Sequence, residues 1–390
     1  MTKAFFLAAL TMAVALAAYG CQDDTAVDPR TSALSSCGGM GAPGDSSGVR
    51  GFTQANGTHL AVFRGFGTSA ITEVTGTPLA NPVNLGGSVL ARSTPWAYRR
   101  HDGANAAVYV ATNQHIHEMG LPAGTDVDLT VAFGINAPLA AGAPPSGPSP
   151  EVIGYVRSDN RSAMVYRGSN NHVIEIISNF GSQPPWLAND LTVLAGALVT
   201  ATKGSAFPYV RSDGTNSIVY IASDNHIHEL SGSPSHTVDA DLYGSGVTVV
   251  PGSDPWGYVR SDGYNSVLFV ATDSTLQELF LFPGGTWGRA VLPAVSPGNG
   301  LARRPSGYVR ADGVNAVAYV SNDREIHELE LGPSGWSDVT LRTCLWPVAP
   351  LFAHVTGTTN SILFQATDIT ITRRYELSST LGGGWTTQSF

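Results

Sequence analysis

A seven-bladed β-propeller, all-β with about four antiparallel strands per blade, is the fold this sequence predicts. Three observations carry it: one unit recurs seven times between about Val49 and Phe390, the unit is rich in β-formers and tight turns, and its period is that of a blade. The clearest copy runs Tyr209-Val210-Arg211-Ser212-Asp213-Gly214-Thr215-Asn216-Ser217-Ile218-Val219-Tyr220, then Asp224-Asn225-His226-Ile227-His228-Glu229-Leu230. Its opening Tyr recurs as Tyr98, Tyr155, Tyr258 and Tyr308, with Phe52 in the first copy and His354 in the last. The steps between these positions are 46, 57, 54, 49, 50 and 46 residues.

Within a copy, Tyr209 to Ser212 reads as the first strand. Asp213-Gly214 is a hairpin signal, because Gly takes a positive φ without steric cost. Ser217 to Ala222 is the second strand, almost continuously apolar, as a strand covered on both faces should be. Ser223-Asp224-Asn225 turns the chain, and His226 to Leu230 is the third strand. A Gly- or Pro-rich loop leads to a short fourth strand, read as Asp128-Leu129-Thr130, Asp190-Leu191-Thr192 and Asp338-Val339-Thr340, with Trp385 to Phe390 in the last copy. Pro-rich connections such as Ala143 to Pro150 account for the uneven period.

Composition agrees. The chain has 390 residues, 13% charged and 43% apolar, with 44 Gly and a net charge of −9. Disorder does not fit so apolar a chain. Without a basic cluster, nucleic acid or an acidic membrane surface is not an expected partner.

The division expected is a signal peptide over 1–20, a flexible tether over 21–48 and the propeller over 49–390. Lys3 gives a positive start, and Ala4 to Ala18 is small and apolar, too short for a membrane span of about 20 residues. Cys21 follows Ala18-Tyr19-Gly20, which resembles a bacterial lipoprotein box with Ala18 where Leu is usual. Lipidation of Cys21 and ordinary cleavage nearby both stand. The chain is thus expected to be exported, either secreted or lipid-anchored at a bacterial cell envelope, with no membrane span. Export permits a disulfide between the remaining Cys37 and Cys344. Two unpaired thiols are the other reading.

Candidate site residues repeat with the unit. An Arg recurs as Arg100, Arg157, Arg211, Arg260 and Arg310, and a Glu as Glu73, Glu118, Glu175, Glu229, Glu278 and Glu328. Strand alternation puts Tyr209, Arg211 and Asp213 on one face. The pair either holds each blade together or lines the cleft between blades and bonds sugar hydroxyls. A pyranose also packs its C–H face on an aromatic ring. Trp96 and Trp256, and near their place Phe207, stand before the first strand and are read as that platform. Trp186, Trp287, Trp336 and Trp385, before or in the fourth strand, are read as blade-edge packing. His115/His117 and His226/His228 share a strand face, but no third ligand recurs at fixed spacing, so no metal or other cofactor is expected. No nucleophile elbow occurs, and the carboxylates repeat instead of forming one unique site, so no catalytic residue is assigned.

At these residues the sequence resembles a known family. Gly257-Tyr258-Val259-Arg260-Ser261-Asp262-Gly263-Tyr264-Asn265 and Asn225-His226-Ile227-His228-Glu229-Leu230 resemble the seven-bladed bacterial propeller lectins typified by Photorhabdus luminescens lectin. More distantly they resemble the six-bladed fungal fucose lectins of the Aleuria type. The resemblance implies sugar binding between adjacent blades, with fucose and O-methylated sugars as ligands. In the fungal type an Arg, a Glu and an aromatic residue make each site. The Glu matches at Glu118, Glu229, Glu278 and Glu328. The fungal Arg lies in the second strand, which here reads Ser217-Ile218-Val219-Tyr220 with none. Gln54 and Thr356 replace the first-strand Arg in the outer copies, whose clefts are not expected to bind.

The expectation is a non-catalytic lectin whose partners are glycans or glycoconjugates, with homo-oligomerisation left open. A structural or protein-binding propeller is the alternative, and a glycan-acting hydrolase a more distant one.

Overall fold

A computed structural model of the chain describes residues 47–390, except 123, 133–150, 180–184, 202–203, 233–235, 243, 247, 250–252, 283, 295–303, 323, 342–344 and 369–370. Seven antiparallel sheets form, each with its strands in chain order. Their first strands are Val49–Thr53, Trp96–Arg99, Val152–Val156, Phe207–Val210, Trp256–Val259, Ser306–Val309 and Phe352–Thr356. These strands touch one another in sequence, and the first touches the last, so the sheets close into a ring of blades 1 to 7. Blade 4 is typical: Phe207–Val210, Asn216–Ile221, Ile227–Ser231 and Val238–Asp241. Blade 7 adds a short strand, Trp346–Pro347, paired to Thr359–Asp368.

The repeated motif is largely a set of instructions for stacking one blade on the next. The Tyr98, Tyr209 and Tyr258 rings lie where a Cβ on Gly154, Gly257 and Gly307 of the following blade would stand, at 2.5–2.6 Å. Only a residue without a side chain admits the ring there. The Asn that opens the second strand makes a second stitch. The backbone N–H groups of Ser158, Ser212, Ser261 and Ala311, each just after the motif Arg, donate to Asn216, Asn265, Asn315 and Asn360 of the next blade at 2.7–2.8 Å. Between blades 2 and 3, Ser162 substitutes for the Asn and accepts from His101. The second strands are fully buried in blades 4, 5 and 6, as their apolar run predicts.

Blade 7 meets blade 1 with a different set of side chains. His59 stands in the Asn slot and His354 in the Tyr slot, their rings 4.3 Å apart. Glu376 is 3.3 Å from His59 and accepts from the Leu79 backbone N–H. Thr53 donates to the Val355 carbonyl and Gln388 to the Leu79 carbonyl. Burial, with His59 adjacent, holds the His354 imidazole neutral, well below its ordinary pKa. Cys37 and Cys344 lie outside the described residues, as do Cys21 and the whole leader.

Element boundaries differ from expectation in three places. The motif Arg residues lie just past the first strand, opening the turn: Arg211 N–H donates to the Thr215 carbonyl, and Gly214 N–H to the Arg211 carbonyl. The fourth strands of blades 2 and 3 end at Asp128 and Asp190, and Leu129 and Leu191 begin short helices. Each Asp accepts from a backbone N–H three residues on, Val131 and Val193, at 3.0 Å. An Asp in that role caps a helix start, and so ends the strand. Ser47 and Gly48, assigned to the tether by sequence, are buried against blade 2, with Gly48 N–H donating to Thr94 Oγ1 at 2.7 Å.

Candidate functional site: the clefts between blades

The motif Glu of blades 2 to 6 is buried and engaged by its own blade. Tyr98 donates to Glu118 at 2.6 Å, Tyr155 to Glu175 at 2.5 Å and Tyr209 to Glu229 at 3.2 Å, and Tyr308 donates to Glu328. In blade 5, Ser266 takes this role on Glu278 at 2.7 Å. The motif Arg adds a charged donor: Arg100 to Glu118 at 3.4 Å, Arg211 to Glu229 at 3.0 Å, Arg260 to Glu278 at 3.3 Å and Arg310 to Glu328 at 3.2 Å. Burial raises the Glu118, Glu175 and Glu278 carboxyls above the ordinary carboxylate range and pushes Glu328 up to about 7. The Arg heads keep contact with solvent. Arg100, Arg211, Arg260 and Arg310 are 29, 14, 12 and 13% exposed, against 7, 0, 1 and 0% for their Glu partners. An acceptor is thus buried, with a charged donor facing out beside it.

The aromatic wall comes from the next blade and from the Trp set read as edge packing. The Arg211 guanidinium lies 5.8 Å from the Trp287 ring centre, across the boundary between blades 4 and 5. Trp336 of blade 6 hydrogen-bonds to Glu278 of blade 5. Trp186 holds the same place in blade 3, opposite Ser178, as Trp287 and Trp336 do opposite Leu281 and Leu331. Trp385, just before Thr386–Ser389, holds it in blade 7, but Trp186 and Trp385 are buried, whereas Trp287 and Trp336 are partly exposed. Sequence alone does not assign these Trp residues to a site because each follows the Glu of its own blade, whereas Trp287 and Trp336 face the Arg–Glu pair of the blade before. Their recurrence just ahead of the fourth strand was the available signal.

Trp96, Trp256 and Phe207 are not platforms in these clefts. They are 7, 5 and 5% exposed and converge on the ring axis. Phe207 and Trp256 centroids are 4.4 Å apart, Trp96 and Trp256 6.4 Å, and Phe352 completes the set at 5.6 Å from Trp96. Trp256 Nε1 donates to the Gly307 carbonyl at 2.8 Å. Their place before the innermost strand aims them at the hub, where side chains from all blades meet. Beside them Glu151 bridges Arg50, at 3.2 Å, and Arg304, and Arg304 reaches Asp254 at 3.6 Å. Burial pulls the Arg50 guanidinium down to about 10. In a buried ion network of this kind the cost of desolvation offsets much of the attraction between the charges.

Three clefts depart from the pattern. Between blades 3 and 4, His236 replaces the Trp and packs on both members of the pair, 3.5 Å from Arg157 and 3.5 Å from Glu175. Arg157 and His236 are 3 and 0% exposed, so this copy is filled by its own side chains. Burial, then Arg157, pushes the His236 imidazole down to about 3. At the boundary of blades 7 and 1, Thr356 replaces the Arg and Glu376 is taken up by His59 and Ser361. In blade 1, Gln54 replaces the Arg beside Glu73.

The His-x-His pairs do have recurring partners, carboxylates of the fourth strand. His115 meets Asp128, His172 meets Asp190 and His226 meets Asp241, at 2.7–2.9 Å. Variable loops between third and fourth strands disguise this in the sequence spacing.

Comparison with solved structures places the ring among known propellers. The BP39L lectin of Burkholderia pseudomallei superposes with a TM-score of 0.64 at 13% identity, over 89% of this chain and 99% of that one. The fold is that of the propeller lectins. A fucose-specific lectin from Aleuria aurantia matches at a TM-score of 0.52 and 13% identity, over 88% of this chain and 95% of its own. A variant of Aleuria aurantia lectin in complex with Fucα1-6GlcNAc gives 0.52 at 14% identity, over 88% and 94%. No family model matches the chain, and no curated sequence matches it significantly. The propeller-lectin likeness is therefore one of fold, at sequence identities too low to carry residues across.

Proposed function

We propose that the chain is a carbohydrate-binding protein, a lectin without catalysis, whose sugar sites are the clefts bounded by Arg100, Arg211, Arg260 and Arg310. The observation that carries this is the repeated triad of outward Arg, buried Glu and next-blade aromatic, best defined at Arg211–Glu229–Trp287 and Arg260–Glu278–Trp336. A pyranose needs an aromatic face for its C–H bonds and fixed polar groups for its hydroxyls, and the triad offers both. Each Glu is already held by a donor of its own blade, which suits orienting a ligand better than shuttling protons. Fucose and O-methylated sugars are the first candidates, since the fold is shared with fucose-specific lectins. Export and a lipid anchor at Cys21 would present the ring outside the cell.

A glycan array probed with the mature chain tests the reading. Signal on fucosylated glycans, displaced by free sugar, is expected. Binding to proteins with no sugar competition would replace the reading with the interaction-propeller alternative. Turnover of a glycan substrate would replace it with the hydrolase.

A further inference from the structure

The end of blade 4 opposite its Arg–Glu cleft carries a cluster that the sugar reading does not use. The Arg211 turn joins the first and second strands, so the turn holding Asp224, between the second and third, is at the other end of the blade. There Asp224, His226 and Asp241 converge, one ligand-capable atom from each lying within 4.8 Å of the others. His226 Nδ1 is 2.9 Å from Asp241 Oδ2 and 3.6 Å from Asp224 Oδ2. Ligands held at about 2.0–2.2 Å around one ion stand roughly 3 Å apart, which these separations bracket.

The surroundings orient the atoms in the way a cation site requires. Asp224 Oδ1 accepts from the His226 backbone N–H at 3.0 Å, leaving Oδ2 toward the imidazoles. Asp241 Oδ1 accepts from the Gly244 N–H at 2.8 Å, and its Oδ2 faces His226 Nδ1. His228 Nδ1 is held by Asp239 at 3.1 Å while its Nε2 reaches Asp224 Oδ2 at 3.2 Å. Asp239 in turn accepts from the Tyr220 hydroxyl at 3.1 Å. Second partners that fix the direction of each ligating group are the usual support of a metal centre. Asp224 and Asp241 are both exposed, so the remaining coordination positions open to water.

The same slots elsewhere show what is special here. Blade 2 keeps His115, His117, Asp126 and Asp128 but has Asn113 at the Asp224 position, with Asn113 Nδ2 turned toward both rings and Asp128. An amide donor replaces an anion. Blade 5 has Thr275 and Gln277 for the two His, and Arg289 donates to Gln277 in that space. Among the described residues blade 4 alone combines the anionic turn residue with the imidazole and the fourth-strand carboxylate.

We propose that Asp224, His226 and Asp241 bind one divalent first-row transition cation of the Zn²⁺ class, with His228 positioning Asp224. One imidazole and two carboxylates suit such an ion better than Ca²⁺, which prefers oxygen alone. The site is independent of the sugar reading.

Titration calorimetry of the tag-free chain with Zn²⁺ in a non-coordinating buffer tests it. One ion per chain is expected. Asp224→Asn, which reproduces the blade 2 arrangement and keeps the Oδ1 contact to His226 N–H, should weaken binding by about tenfold or more. His226→Gln should do the same, and His115→Gln should leave binding unchanged. Melting curves without metal verify that each variant is folded. No Zn²⁺ binding by the unaltered chain overturns the assignment. So does binding unaffected by both blade 4 variants, or tighter binding of Ca²⁺ than of Zn²⁺.

Discussion

The Arg211 guanidinium of blade 4 lies 5.8 Å from the centre of the Trp287 ring of blade 5. A cation against an aromatic face is worth about 0.5–1 kcal/mol at an exposed site. The pair matters more as geometry, because it sets a flat apolar wall beside a charged donor and the buried Glu229 acceptor. Trp287→Ala should therefore remove one sugar site, at a loss of about 1–3 kcal/mol in that cleft, and leave the fold intact. Sugar titration beside a melting curve checks this. Unchanged stoichiometry would take Trp287 out of the site.

Trp256→Ala should behave in the opposite way. Trp256 is packed on Phe207 and Trp96 at the hub and bonded to the Gly307 carbonyl. Truncating a buried aromatic of this kind costs about 3–5 kcal/mol of stability. Affinity per folded molecule should not change. A normal melting temperature with a lost sugar site would restore Trp256 to the binding surface.

The Glu328 carboxyl gives a pH dependence with a definite sign. Burial raises it from its ordinary value of 4.5 to about 7, although Tyr308 and Arg310 pull it down. The folded chain thus holds this proton more firmly than the unfolded chain. The stabilising contribution is complete below about 4.5 and is lost as pH rises through about 7, to the extent of roughly 3 kcal/mol. Glu328→Gln mimics the protonated form. The stability of the variant relative to the unaltered chain should rise across that window. A constant difference from pH 4.5 to 7 would show that the carboxylate is ionised throughout.

Much of this molecule is legible in the sequence because the repeat encodes contacts between successive copies. Gly257 is there to admit the Tyr209 ring, and Asn265 to accept from Ser212. A ring of seven follows from counting them. Strand ends were harder to read. Asp190 looks like the opening of a strand, but its side chain caps a helix instead. The Arg and Glu of the proposed site repeat in phase in the sequence. The aromatic proposed beside them is hidden for a topological reason: Trp96 and Trp256 stand beside the first strand, which runs at the axis, whereas Trp287 and Trp336 reach back to the preceding blade. Neighbours along the chain are not the neighbours that make a cleft.

Ring closure yields a prediction on residues outside those described. Among the described residues, blades 7 and 1 meet through hydrogen bonds and the His59–Glu376 contact, without strand exchange. A Cys37–Cys344 disulfide would tie the leader to the region before blade 7. It would contribute up to roughly 5–6 kcal/mol by the chain-entropy account, less any strain. Peptide mapping without reductant of the protein produced under oxidising conditions should recover the linked pair. Two thiols open to alkylation would refute it.

The most direct test of the central claim is the number of sugars bound per chain. The structure repeats the Arg and Glu partners at Arg100, Arg211, Arg260 and Arg310, sets a partly exposed Trp of the next blade beside them at Arg211 and Arg260, and fills or alters the clefts at Arg157, Thr356 and Gln54. Linked weak sites raise avidity without new contacts. Titration calorimetry with the monosaccharide that competes best on the array should give more than one weak site per chain, from the two clefts with a partly exposed Trp up to all four with an outward Arg. A stoichiometry of one, or no heat of binding with any monosaccharide, would contradict the account.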